Sequence, residues 1–172
     1  IPAHRHTDLH RQILESLVSS GLGDYARLAH HAEGARDRAA VLRYAPLAAE
    51  RAAELATHRE AAAQYARALR FADCLEPAEL AALYDKLAAQ GALIDRWEEV
   101  AEAREKALVL WRQVGDQVRI GDTLRHLSRA MWRLCRGAEA EASCQRGARL
   151  ASSWGDAQTA APLRSVRGAM IR

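Results

Sequence analysis

The stretch Trp97-Glu98-Glu99-Val100-Ala101-Glu102-Ala103-Arg104-Glu105-Lys106-Ala107-Leu108 decides the fold, because the chain contains it three times in altered form. Moved back by 39 positions it lies on Arg59-Glu60-Ala61-Ala62-Ala63-Gln64-Tyr65-Ala66-Arg67-Ala68-Leu69. Moved forward by 40 it lies on Gly137-Ala138-Glu139-Ala140-Glu141-Ala142-Ser143-Cys144-Gln145-Arg146-Gly147-Ala148. Ala61, Val100 and Ala140 are then equivalent, and so, seven residues on, are Ala68, Ala107 and Gly147. Seven residues is close to two helical turns, so these are points on one face where small side chains let another helix come near.

Each copy follows a partner stretch with its own apolar stripe. The clearest is Leu124, Leu127, Ser128 and Met131, whose spacings of three and four share a helical face. Tyr84, Leu87 and Ala88 hold the equivalent places one unit earlier. A helix pair of this kind cannot bury both faces alone. Stacked copies solve the problem better than an irregular bundle does, and the expected architecture is an all-α, right-handed solenoid of antiparallel helix pairs with a period of about 40 residues. The expected division is N-terminal helices over 1–35, joining a preceding segment, then units at 37–75, 76–114 and 115–154 and a truncated one at 155–172.

Composition agrees. Of 172 residues, 38 are Ala and 23 are Arg, against two Lys, while aromatic residues are 5%. Alanine is the best helix former, and the scarcity of β-branched and aromatic side chains leaves a sheet little to build from. No apolar run approaches the ~20 residues that span a bilayer, and no signal-peptide core follows the start, so the expectation is a cytoplasmic chain. Ile1 is not an initiator Met and Met170-Ile171-Arg172 stops inside an apolar stretch, which reads as a piece of a longer protein. Cys74, Cys135 and Cys144 lack paired spacing and read as free thiols serving as small core residues. The net charge of +3 is uneven: residues 1–86 sum to −1, 87–117 to −2 and 118–172 to +6.

Turn residues place the helix ends. Asp24 caps a helix that stops at Gly34, Asp37 opens a long one to about Ala56, and Pro77 starts another. Asp95 reads as the cap before Arg96-Trp97-Glu98-Glu99, and Gly115-Asp116 and Gly155-Asp156 each end one helix and cap the next. Gly21-Leu22-Gly23 reads as a turn. Pro46 should kink or end its helix near Arg43, and Pro162 poses the same question later. About nine helices result.

With those residues placed, the units resemble tetratricopeptide repeats: Leu124, Leu127, Ser128, Met131, Ala140 and Gly147 fill the pattern in one unit, and Ala61, Tyr65 and Ala68 fill its second half in another. They depart from it in period, in lacking the usual proline after the second helix, and in the weak stripe Ala45, Ala48, Ala49 and Ala52. The longer unit, with Leu28-Ala29-His30-His31-Ala32-Glu33-Gly34-Ala35, Tyr44-Ala45-Pro46 and His58-Arg59-Glu60-Ala61-Ala62, resembles the repeat region of large ATP-dependent LuxR-family bacterial transcription regulators of the maltose-regulon activator type. The start, with Leu9, Ile13, Leu14 and Leu17 on one face, resembles the tail of the segment that precedes such repeats. That resemblance implies a non-catalytic sensor and interaction region that binds a partner protein or a small acidic effector in its concave groove. ATP would belong to an upstream domain, since no GxxxxGK[ST] loop is present, and no direct DNA contact is implied. The competing reading is a free-standing adaptor for protein–protein interaction.

Catalysis finds no support: there is no GxSxG elbow, no HExxH and no paired Cys motif. His6 and His10, four apart, could share a face as metal ligands, but without a visible third ligand they read as solvated. His30 and His31 diverge by about 100° on a helix, and the resemblance implies a packing role for them. The sharpest candidate comes from carrying the tetratricopeptide register over position by position. The groove then receives Asp122, Arg125, Arg129, Trp132 and Arg133, a cationic strip with one indole, suited to a carboxylate, a phosphate or an acidic peptide. The facing positions one unit earlier are Ala82, Asp85, Ala89 and Ala92, small and weakly acidic. Leu163, Val166 and Met170 form a last apolar stripe that is expected either to be covered by a second copy of the chain, making a homodimer, or to fray.

Overall fold

A computed structural model describes residues 3–21 and 24–153. Eight α-helices hold nearly all of them: α1 (Ala3–Ser20), α2 (Tyr25–Gly34), α3 (Arg38–Glu54), α4 (His58–Leu69), α5 (Pro77–Ala92), α6 (Trp97–Val114), α7 (Gln117–Arg133) and α8 (Gly137–Ser153), with a 3₁₀ turn at Ala72–Cys74. No strand occurs among the described residues. The chain divides into two compact units, Ile1–Cys74 and Leu75–Arg172. In the first, α2 packs on α1, α3 on α2 and α4 on α3; in the second, α6 packs on α5, α7 on α6 and α8 on α7. Within each unit every helix after the first thus packs on the one before it, an arrangement of neighbour contacts that suits repeats. The ninth helix, Gly155-Asp156, Pro162 and the stripe Leu163, Val166 and Met170 lie outside the described residues.

Five of the reversals share one backbone solution. Arg36, Ala56, Asp95 and Cys135 all take positive φ, from 54° to 59°, and Gly115 takes 79°. After each, an N–H donates back across the helix end to the carbonyl five residues earlier: Asp37 to Ala32, Thr57 to Ala52, Arg96 to Gly91, Asp116 to Trp111 and Arg136 to Met131. This is the Schellman closure, which satisfies the orphan carbonyls of a helix end while turning the chain around. Ala56, Asp95 and Cys135 are separated by 39 and 40 residues, so the repeat is written in the backbone as well as in the side chains. The following helices keep step: Glu60, Glu99 and Glu139 each stand in the first turn, where a carboxylate opposes the helix dipole. Arg96 and Arg136, one position after the turn, bind Glu99 and Glu139 at 2.7 Å.

Close approach explains the alanines. Ala61, Ala68, Ala107 and Ala140 have no exposed surface, and Tyr65, Val100, Leu124, Leu127, Ser128, Met131 and Gly147 are buried. Ser128 Oγ donates to the Ala140 carbonyl at 2.9 Å, tying α7 to α8 where both carry little bulk. Gly91 serves the same end, for a Cβ there would stand 2.9 Å from Val100 Cγ2. In the second unit this packing closes a core around Leu108, Trp111, Ile120, Leu124 and Met131.

Asp24, Asp37 and Asp116 accept from the N–H groups of Arg27, Ala40 and Arg119, as N-caps should, and Pro77 opens α5. Three expectations change. Asp95 is the left-handed turn residue, and Arg96 is the N-cap. Pro46 lies inside α3, which continues to Glu54, so the packed helix absorbs the lost hydrogen bond instead of ending. Only Cys144 is buried; Cys74 and Cys135 are exposed.

A non-glycine residue in the left-handed region costs about 1 kcal/mol, part of which glycine returns through its freer unfolded chain. Ala56→Gly and Cys135→Gly are therefore expected to raise stability by about 0.5–1 kcal/mol in urea unfolding, and Gly115→Ala to lower it by about 1 kcal/mol. Destabilisation by both glycine variants would contradict the shared turn.

Candidate functional site

Arg125, Arg129, Trp132, Arg133 and Asp122 fall within about 100° of one face of α7, as 3.6 residues per turn dictates. They do not form a bare cationic strip. Arg125 Nη2 bonds Asp122 Oδ1 at 2.6 Å, one turn back on the same helix. Arg133 leaves the strip: its Nη2 lies 3.3 Å from Asp95 Oδ1 and its guanidinium sits 5.1 Å over the Trp97 ring. The like charges at 125, 129 and 133 are thus relieved at both ends. Arg129 is exposed and has no ion pair among the described residues, and Trp132 beside it is 46% exposed.

The acidic wall expected opposite is not presented either. Asp85 turns toward α6, where Oδ1 accepts from Arg104 Nη1 at 2.5 Å and Oδ2 from Trp111 Nε1 at 2.8 Å. Arg104 is buried and its Nε has no partner among the described residues. Burial holds the Arg104 pKa below the ordinary arginine value, with the Asp85 charge opposing that drop. Two charges this deep need each other, since removing one strands the other. The pair is a structural tie between α5 and α6, and Arg104 gave no sign of it in the sequence except as the one arginine in an otherwise small-residue face.

His126 is the residue the sequence reading passed over. Arg125 Nη2 donates to its Nε2 at 2.6 Å, and because guanidinium cannot accept, that nitrogen must be unprotonated. Burial and the positive charges of Arg104, Arg125 and Arg129 push its pKa down to about 4, against the pull of Asp122. Burial alone would raise the Asp122 pKa, but the Arg125 hydrogen bond and the charges of His126, Arg125 and Arg104 hold it below the usual carboxylate value. A histidine on the turn between two arginines, four residues after an aspartate, was the available signal.

The first unit carries other polar clusters. Glu33 of α2 accepts from Nε of Arg67 on α4 at 2.9 Å and also binds Arg70, the residue that caps the end of α4. His10 is not simply solvated: its Nδ1 lies 3.0 Å from His31 Nδ1, and the His6, His30 and His31 rings stand 4.5, 5.5 and 5.0 Å from its own. Gly34 makes room for it, since a Cβ there would meet the imidazole at 2.4 Å. Among the described residues no group of His, Cys, Asp or Glu is arranged to hold a metal ion.

The sequence matches no protein-family model and no curated protein. Among solved structures, the fold is similar to the crystal structure of BtubC (BKLC) from P. vanneervenii, with a TM-score of 0.62 over 99% of this chain at 18% identity. The chain spans 66% of that structure's length. The likeness establishes an all-α array of sequential antiparallel helices.

Two outcomes are expected. Replacing Asp85 by Ala strands buried Arg104 and should cost about 3–5 kcal/mol in chemical unfolding, while the paired Asp85→Leu/Arg104→Met variant should cost far less; equal losses would dismiss the tie. His126 should titrate by NMR with a midpoint of about 4. Since its folded pKa is depressed, the unfolded chain takes up the proton first, and its contribution to stability is lost as pH falls from about 6.5 toward 4. His126→Gln should flatten that decline, and an ordinary midpoint near 6.5 would refute the burial argument.

Proposed function

We propose that the chain is a non-catalytic helical-repeat scaffold that receives an acidic segment of a partner protein on the exposed face of α7. One observation carries the reading: Arg129, the guanidinium at the centre of the face, has no ion pair among the described residues and stands beside the half-exposed indole of Trp132. A free guanidinium fork beside an aromatic plane takes a carboxylate and an apolar side chain together. Arg125 and His126 hold the flank in fixed geometry, and neutral His126 leaves the local charge to the arginines. The units in this reading are 37–75, 76–114 and 115–154.

A finer reading rests on the sequence resemblance of residues 28–35, 44–46 and 58–62 to LuxR-family regulators. In it the scaffold is the sensor region of a signal-responsive transcription regulator, and the occupant is its effector or partner. Finding a phosphate-binding loop upstream and a helix-turn-helix downstream in the full-length gene would support it; finding neither would leave the adaptor. No helix among the described residues is long and apolar enough to cross a membrane.

Titration of an acidic, aromatic-containing peptide against the whole chain should show saturable, salt-sensitive binding quenching Trp132. Arg129→Glu should weaken it by about tenfold or more without loss of fold. Unchanged affinity in that variant would end the proposal.

A further inference from the structure

The opposite side of α7 carries a second feature. A cavity of about 540 Å³ opens between the C-terminal ends of α6 and α8, with the first turns of α7 as its floor. The floor is apolar: Ile120 and Leu124 are buried, and Leu150 of α8 joins them. The rim is cationic, with Arg112 from α6 and Arg146 and Arg149 from α8, and Gln117 completes it. Ile120 and Leu124 lie about 180° and about 140° around α7 from Arg129, so the cavity is separate from the proposed partner surface.

Arg112 stands in the last turn of α6, where an arginine is common because it opposes the helix dipole. That accounts for Arg112 and not for Arg146 and Arg149, which stand before the last turn of α8. Arg146 Nη2 bonds the Ser143 hydroxyl at 3.2 Å, and among the described residues none of the three guanidiniums has a carboxylate partner. Among the described residues no acidic side chain lines the cavity. Three like charges converging on an apolar floor leave a site short of one anion, and the volume lies within the range of small-molecule sites, about 300–1,000 Å³.

We infer that this cavity binds a small amphipathic organic acid, its carboxylate held by Arg112, Arg146 and Arg149 and its apolar body resting on Ile120, Leu124 and Leu150. An acyl or aryl carboxylate has the required shape. Inorganic anions lack the body, and neutral alcohols lack the charge.

The test uses the whole chain and decanoate as probe, with decanol and inorganic phosphate beside it, read by calorimetry and by amide chemical shifts. Decanoate should bind saturably with a Kd below about 1 mM, shifting residues 112, 117–124 and 146–150, with decanol and phosphate each about tenfold weaker or more. The double variant Arg112→Glu/Arg149→Glu, both exposed positions, should lose decanoate binding by about tenfold or more while keeping its helical circular dichroism. Arg129→Glu should leave decanoate binding unchanged, which separates this site from the partner surface. Decanol binding as tightly as decanoate, phosphate binding as tightly as decanoate, absence of saturation, or unaltered binding in the double variant would each overturn the inference.

Discussion

A helix can reverse onto itself within two or three residues only if one of them takes the left-handed conformation and the freed carbonyls find donors. Here that turn recurs at Arg36, Ala56, Asp95, Gly115 and Cys135, each closed by the same bond to the carbonyl five residues back. Everything else rests on it. The reversal brings neighbouring helices side by side with no slack, and the alanines at 61, 68, 107 and 140 then set how near they come. Had bulky residues stood there, the same turns would have forced the helices apart and left the thin cores open.

The turn also organises the polar chemistry. Asp95, held with positive φ, offers its carboxylate to Trp97 Nε1 at 3.0 Å and to Arg133 one unit along. Asp85 ties α6 to α5 through Arg104 and Trp111. Charge is therefore used first for joining helices, and the surface proposed as functional is what this joining leaves over. On α7 that is Arg129 with Trp132 on one side and the apolar-floored crevice on the other. Part of the basic last third of the sequence thus falls at the two proposed sites, Arg129 on α7 and Arg146 with Arg149 on α8.

Much of this was legible in advance. The repeat of small residues, the caps at Asp24, Asp37 and Asp116 and the Pro77 start follow from local chemistry that acts within one helical turn. What escaped was non-local or unmarked. Four of the six left-handed residues among those described are not glycine, so glycine could reveal only Gly21 and Gly115. Arg133 finds Asp95 across 38 residues and His10 finds His31 across 21, distances over which no spacing rule operates. Asp85 could point outward or inward by periodicity alone, and the buried Arg104 decided it. Pro46 left a kink or an end open, and the helix does not end there because packing on both sides of α3 outweighs one missing hydrogen bond.

The central claim, that the α7 face is an interaction surface and not merely a solvated one, is tested most directly by mapping amide chemical shifts of the intact chain as an acidic peptide is added. The account predicts that the perturbed amides run from Arg125 to Arg133, with the Trp132 indole among the largest shifts. Shifts confined to other helices, or none at concentrations where the peptide is bound, would contradict it.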